Sequence, residues 1–242
     1  MRLFAYLLPG ILLIPSAWFA WSNRDMPHFG DAHDDSLYFI GAKALAAGGE
    51  YRILSLPGEP FQTKYPPLYP LYLSAVWRID PDFPGNLKWA TLLAWIPLAA
   101  LLVLARRLYE SWGVAGPKLW LLLALLAFNP YLIFFGTHLL SELLFTCLAI
   151  GAMLLLGKPT AGRWFAAGVV AGVAYLCRTA GVALGILVYA GRWQYLAGMA
   201  PFALGWLVWS KMHQSPGQDV VTLYYTNYVG YQMYNVDRKS VV

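Results

Sequence analysis

Charge is scarce in this chain: only 12% of its 242 residues are Asp, Glu, Lys or Arg, while 59% are hydrophobic. The apolar residues fall in long runs, which is the composition of a membrane protein. Basic residues exceed acidic ones by 17 to 12, for a formal net charge of +5. They are scattered in ones and twos between the apolar runs, and this excludes the basic groove that a nucleic acid needs. Cysteine is scarcer still. Cys147 and Cys177 lie in or beside apolar segments without metal-ligand spacing, and they read as small hydrophobes in a helix bundle. The first apolar run lacks a small-residue cleavage site before the acidic segment that follows, so it reads as a retained anchor and not a signal peptide.

The runs predict seven membrane helices, near residues 3–21, 87–105, 118–136, 140–156, 163–177, 179–191 and 193–209. If each crosses once, Arg2, the Arg106, Arg107 and Lys118 group, Lys158 with Arg163, and Arg192 share one side, which the positive-inside tendency makes cytoplasmic. The opposite side receives the loop 22–86, the turn from His138 to Glu142, Arg178 and the segment from Lys211 onward. Residues 63–80, TKYPPLYPLYLSAVWRID, are expected to form an interfacial or re-entrant helix. Glycines four apart in GVVAG (168–172) and GVALG (181–185) permit close helix contact. The predicted organisation is a transmembrane core over 1–210 and an outer, tyrosine-rich segment over 211–242.

The polar residues that remain concentrate on that outer side. The stretch FGDAHDDSLYF (29–39) holds three aspartates and a histidine directly after an apolar run. Asp31 is expected to cap a helix running to about Ala47, with Asp34 and Asp35 in its first turn, where carboxylates meet unpaired N–H groups. Asp34 and Tyr38 share a face one turn apart. Glu142, among leucines in SELLF, sits where a carboxylate needs a polar interior, a partner or a substrate; pairing with Arg178 or His138 would satisfy it structurally. Arg178 in LCRTA suits a phosphate as readily as it suits Glu142. Lys64 precedes two prolines that fix the backbone direction, although lysine at such a place often only snorkels. A divalent metal, if bound, would take Asp31, His33 and Asp35. The tyrosines of 220–239 suit an interface or a sugar face and single out no residue.

HDDSLYFIGAKALAAGGEYR, TKYPPLYP and SELLF together resemble motifs of the integral-membrane glycosyltransferases of the GT-C type, particularly the bacterial aminoarabinose and protein mannosyl transferases. In that family an acidic pair follows the first span, here Asp34 and Asp35, with Asp at the second position where Glu is commoner. A basic residue precedes a Pro-Pro-Leu segment; here a tyrosine is inserted between Lys64 and Pro66. A later acid opens a span, here Glu142, and Arg178 resembles a basic residue of an outer turn. The family usually carries further spans and often an outer domain, so this chain reads as a fragment or a minimal member.

The resemblance implies an all-α polytopic membrane protein with a GT-C-like core of about seven spans, in the bacterial cytoplasmic membrane, with its site facing the periplasm. It implies an inverting transferase moving a sugar from a polyprenyl-phosphate donor to a lipid, protein or polysaccharide acceptor. In that scheme Asp34 is the general base, Asp35 and Glu142 orient the reactants, and Lys64 and Arg178 stabilise the phosphate, with Tyr38 beside them. Membrane lipids would surround the core, and the chemistry requires no metal. A noncatalytic scaffold or partner-binding subunit, and a transporter or flippase, are the alternative readings.

Overall fold

The structure is a computed structural model that describes residues 2–157, 160–188, 193–214, 220–227 and 230–234, with side chains described from Gly10 onward. Lys158 and Arg192 of the charge scheme, and residues 235–242 of the tyrosine-rich segment, lie outside the described residues, as does the side chain of Arg2.

The apolar runs fold into helices, and local chemistry decides where each one stops. In chain order these are α1 (Arg2–Ser22), α2 (Asp34–Ala46), α3 (Leu68–Ile79), α4 (Leu87–Ser111), α5 (Gly116–Ala127), α6 (Pro130–Thr137), α7 (Glu142–Leu156), α8 (Ala161–Cys177), a 3-10 segment (Thr179–Val188), α9 (Trp193–Met212) and α10 (Val220–Thr226). The run expected as a span over 118–136 breaks because Asn129 caps a new helix. Its side chain accepts from the N–H groups of Tyr131 and Leu132, and Pro130 takes the first helical position. The two halves, α5 and α6, meet at 50°.

Three packed helix pairs position the polar cluster. α2 lies on α3 through Phe39, Ala42, Leu73 and Trp77, all buried, and the Trp77 indole N–H donates to the Phe39 carbonyl at 2.9 Å. α4 meets α7 through Leu98, Leu101, Leu143 and Cys147. α8 and α9 approach closely, because the facing side of α8 carries the small residues Ala167, Gly168, Ala171 and Gly172, set against Tyr195, Met199 and Phe202. α3 runs along this assembly for 12 residues, about 18 Å, well short of the roughly 30 Å hydrocarbon layer of a bilayer.

These boundaries correct the membrane reading. Among the described residues, one helix, Leu87–Ser111, is long and apolar enough to cross a membrane, or two if the bent α5–α6 pair counts as a single span. Gly10–Ser22, Glu142–Leu156 and Ala161–Cys177 are shorter apolar helices. The expected span over 179–191 is a 3-10 segment of 10 residues. α9 has 20 residues but is interrupted by Pro201 and falls below the hydropathy of a span. The seven-span GT-C-like core and the multi-pass placement in an inner membrane therefore do not hold. Large apolar side chains, among them Ile14, Trp18, Leu121, Leu125 and Ile186, nonetheless stand exposed.

Candidate functional site

The first turn of α2 divides the acidic pair. Successive helical residues point about 100° apart, so Asp34 and Asp35 do different things. Asp35 is 1% exposed; its Oδ2 accepts from the Gly30 N–H at 2.9 Å and its Oδ1 from the Ser36 N–H at 2.6 Å, which pins the incoming loop to the helix. Asp34 turns the other way and accepts from the Tyr65 hydroxyl at 2.6 Å. The cap expected at Asp31 is not formed: His33 holds the N-cap position with φ 63°, and its side chain makes no capping bond.

Tyr38, one turn after Asp34, points into the bundle, where its hydroxyl shares a 3.2 Å hydrogen bond with Ser141. Its ring stands edge-on to both Tyr65 and Tyr69, at 5.2 and 5.1 Å between centroids. The Arg178 Nη1 donates to the same Ser141 hydroxyl at 3.4 Å and pairs with Glu142 Oε1 at 2.6 Å. Helix ends account for this pair: Glu142 opens α7, where negative charge is favoured, and Arg178 is the C-cap of α8, where positive charge is favoured. The bundle brings the two ends together.

Lys64 lies among aromatic rings, its Nζ 3.9 Å from the Tyr224 centroid, 5.0 Å from Tyr65 and 5.9 Å from Tyr225. Burial lowers its pKa, and the carboxylate of Asp34 opposes that shift. α10 delivers two of these rings. It is tied down by the Thr63 hydroxyl donating to the Thr226 carbonyl and by a 3.1 Å hydrogen bond between Tyr225 and His33 Nε2. The phenols remain protonated, because burial raises the pKa of Tyr38, Tyr65 and Tyr69, and the Asp34 carboxylate raises that of Tyr65 further. Burial also pushes the Cys177 thiol up to about 12, which keeps it an inert thiol at neutral pH.

Two polar atoms here are left unmet. Glu142 Oε2 and the Tyr69 hydroxyl are buried and make no hydrogen bond, and the charge of Glu142 contributes to the raised pKa of Tyr69. A buried polar group without a partner costs about 1–3 kcal/mol, and more when it is charged. A donor inserted beside Arg178 would satisfy Glu142, and the phenol of Tyr69 can donate to or accept from the same guest.

The structure thus gathers Asp34, Lys64, Tyr38, Glu142 and Arg178 around one cluster and sets Asp35 aside as a loop anchor. Sequence reasoning missed Tyr65, Tyr69, Ser141 and Tyr224. Tyr65 carried a signal, since it is the residue that interrupts the Lys-Pro-Pro pattern, and it turns out to be the donor to Asp34. No group of three or more His, Cys, Asp or Glu placed to hold a metal ion occurs among the described residues. Asp31, His33 and Asp35 do not converge: His33 bonds Tyr225, and Asp35 bonds the backbone.

The resemblance to GT-C glycosyltransferases and the polyprenyl-phosphate sugar transfer drawn from it do not hold either. That reaction needs a multi-pass frame to carry the lipid donor and present its sugar at an outer membrane face, and the described residues contain one helix fit to cross, or two with the bent pair. Comparisons with models of protein families, with curated proteins and with solved structures find no match to this chain.

Proposed function

We propose that the protein binds a small molecule carrying hydroxyl or amine donors at the cluster of Tyr69, Ser141, Glu142 and Arg178. The observation that carries this reading is the pair of unmet polar atoms, Glu142 Oε2 and the Tyr69 hydroxyl, buried beside one ion pair. A guest hydroxyl or ammonium would donate to Glu142 and recover the desolvation cost that its absence leaves. Arg178 and Lys64 supply positive charge for an anionic group on the same molecule. Asp34, held by Tyr65, and Tyr38, held by Ser141, fix the wall from which further hydrogen bonds are made. The reading is one of recognition, with no bond made or broken.

Thermal unfolding in the presence of glucosamine, glucose or inorganic phosphate tests it, with Glu142→Gln as the comparison. At least one of the two donor-bearing probes is expected to raise the midpoint in proportion to its concentration, as ligand linkage requires. Glu142→Gln, which changes charge and half of the acceptor capacity, should weaken that binding about tenfold, or about 1.4 kcal/mol. No shift with either probe, or equal shifts in parent and variant, would reject the site.

A further inference from the structure

A cavity of about 470 Å³ lies between the end of α1 and α6. It is walled by Phe19, Ile133 and Phe134 and floored by two imidazoles, His28 and His138, which stand 110 positions apart in sequence. The two rings are stacked with centroids 4.0 Å apart and planes tilted by 33°, and Phe134 continues the stack on the other face of His138 at 3.9 Å.

The protons of both imidazoles are fixed by backbone carbonyls, which can only accept. His28 Nε2 donates to the Thr137 carbonyl at 3.1 Å, and His138 Nδ1 donates to the Phe134 carbonyl at 2.9 Å. In neutral rings this leaves Nδ1 of His28 and Nε2 of His138 as lone-pair acceptors. Neither nitrogen has a hydrogen-bond partner among the described residues. Burial, reinforced by His28, lowers the pKa of His138, while the Phe134 carbonyl and the carboxylates of Asp35 and Asp31 oppose the shift.

The lining selects its guest by charge as well as by shape. Among the described residues it contains no Asp or Glu to hold a cation and no Lys or Arg to hold an anion. What it offers is an aromatic slot with acceptor nitrogens at its base, in a volume within the usual range for one small ligand. We propose that this cavity is a binding site for an uncharged aromatic alcohol of the phenol class, its ring packed against Phe19, Ile133 and Phe134 and its hydroxyl donating to Nε2 of His138. The site is separate from the Glu142 cluster and does not depend on the function proposed for it.

Calorimetric titration of the protein with phenol, and with toluene as the same ring lacking the hydroxyl, tests the assignment. Phenol should bind at one saturable site and toluene about tenfold more weakly, the worth of one hydrogen bond. His138→Phe should remove the preference for phenol. Ile133→Trp, which fills the slot from its wall and leaves both imidazoles in the chain, should abolish binding of both probes while the unfolding midpoint stays near the parent's. Absence of phenol binding, equal affinity for toluene, or an undiminished preference in a folded His138→Phe protein would overturn the proposal.

Discussion

Replacing Gly168 by alanine tests the closest helix contact in the bundle. A Cβ built on Gly168 would lie 1.9 Å from the carbonyl oxygen of Tyr195 and 2.8 Å from its carbonyl carbon. Both atoms belong to the backbone of α9, so no rotamer change relieves the clash. A carbon and a carbonyl oxygen in contact sit about 3.3–3.6 Å apart, so the helices would have to part by roughly 1.5 Å. Separation on that scale would loosen the layer in which Ala167, Ala171, Ala174, Tyr195 and Met199 are buried. Overpacking of this kind costs about 3 kcal/mol, against which alanine returns up to about 1 kcal/mol of helix propensity. The net expectation is a loss of about 2 kcal/mol. Gly205→Ala is the internal control: it is also helical, in α9, and a Cβ there meets nothing within 4 Å. It should gain up to about 1 kcal/mol. Urea unfolding followed by far-ultraviolet circular dichroism reads both values. A Gly168→Ala protein as stable as the parent would show that α8 and α9 do not cross where the structure puts them.

Three further outcomes are expected. Arg178→Met strands the Glu142 carboxylate and should cost about 2 kcal/mol in urea unfolding, between the values for exposed and buried pairs because both side chains are partly exposed; adding Glu142→Gln should recover part of it, and a double variant no more stable than Arg178→Met would refute the pairing. Asp35→Ala should lose about 1–2 kcal/mol in the same assay, because two backbone N–H groups lose their acceptor, and an unchanged midpoint would mean that the loop is not pinned there. Stability should also fall as pH is lowered through 6.5. His138 has a folded pKa below its ordinary 6.5, so in the window between the two values the unfolded chain binds more protons and stability rises with pH; His138→Phe should flatten the midpoint-against-pH curve there, and a slope unchanged by that substitution would assign the effect to another group.

Much of the local structure was legible in the residues. The apolar runs over 140–156, 163–177 and 193–209 each became a helix within a few residues of its expected bounds, and the run over 87–105 became a longer one, ending at Ser111, because a sustained apolar run is stable only when its backbone is hydrogen-bonded internally and its side chains are covered. The first turn of α2, with Asp34 and Asp35, was legible from the preference of carboxylates for helix N-termini. The lengths were not. Asn129 and Pro130 divide one apolar run, and beyond Arg178 the chain tightens into a 3-10 segment in which Gly181 lies against the backbone of Tyr175. Hydropathy averages over such breaks, which is why seven crossings were expected where the described residues hold one helix fit to cross, or two with the bent pair.

The candidate site was legible as a list of residues and not as an arrangement. Spacing showed that Glu142 and Arg178 interrupt apolar segments, since a charge amid leucines is conspicuous at any position. It could not show that they meet each other, because that depends on the end of α8 being carried to the start of α7. Nor could it separate Asp34 from Asp35, which differ only in which side of one helical turn faces Tyr65, or place Tyr224 over Lys64 from 160 residues away. The sequence by itself determined where backbone turns into helix and which residues carry charge into apolar surroundings, because both follow from interactions within a few residues. Only the tertiary structure decided which polar atoms are satisfied and which are left waiting, because that depends on contacts between segments the chain brings together only when it folds.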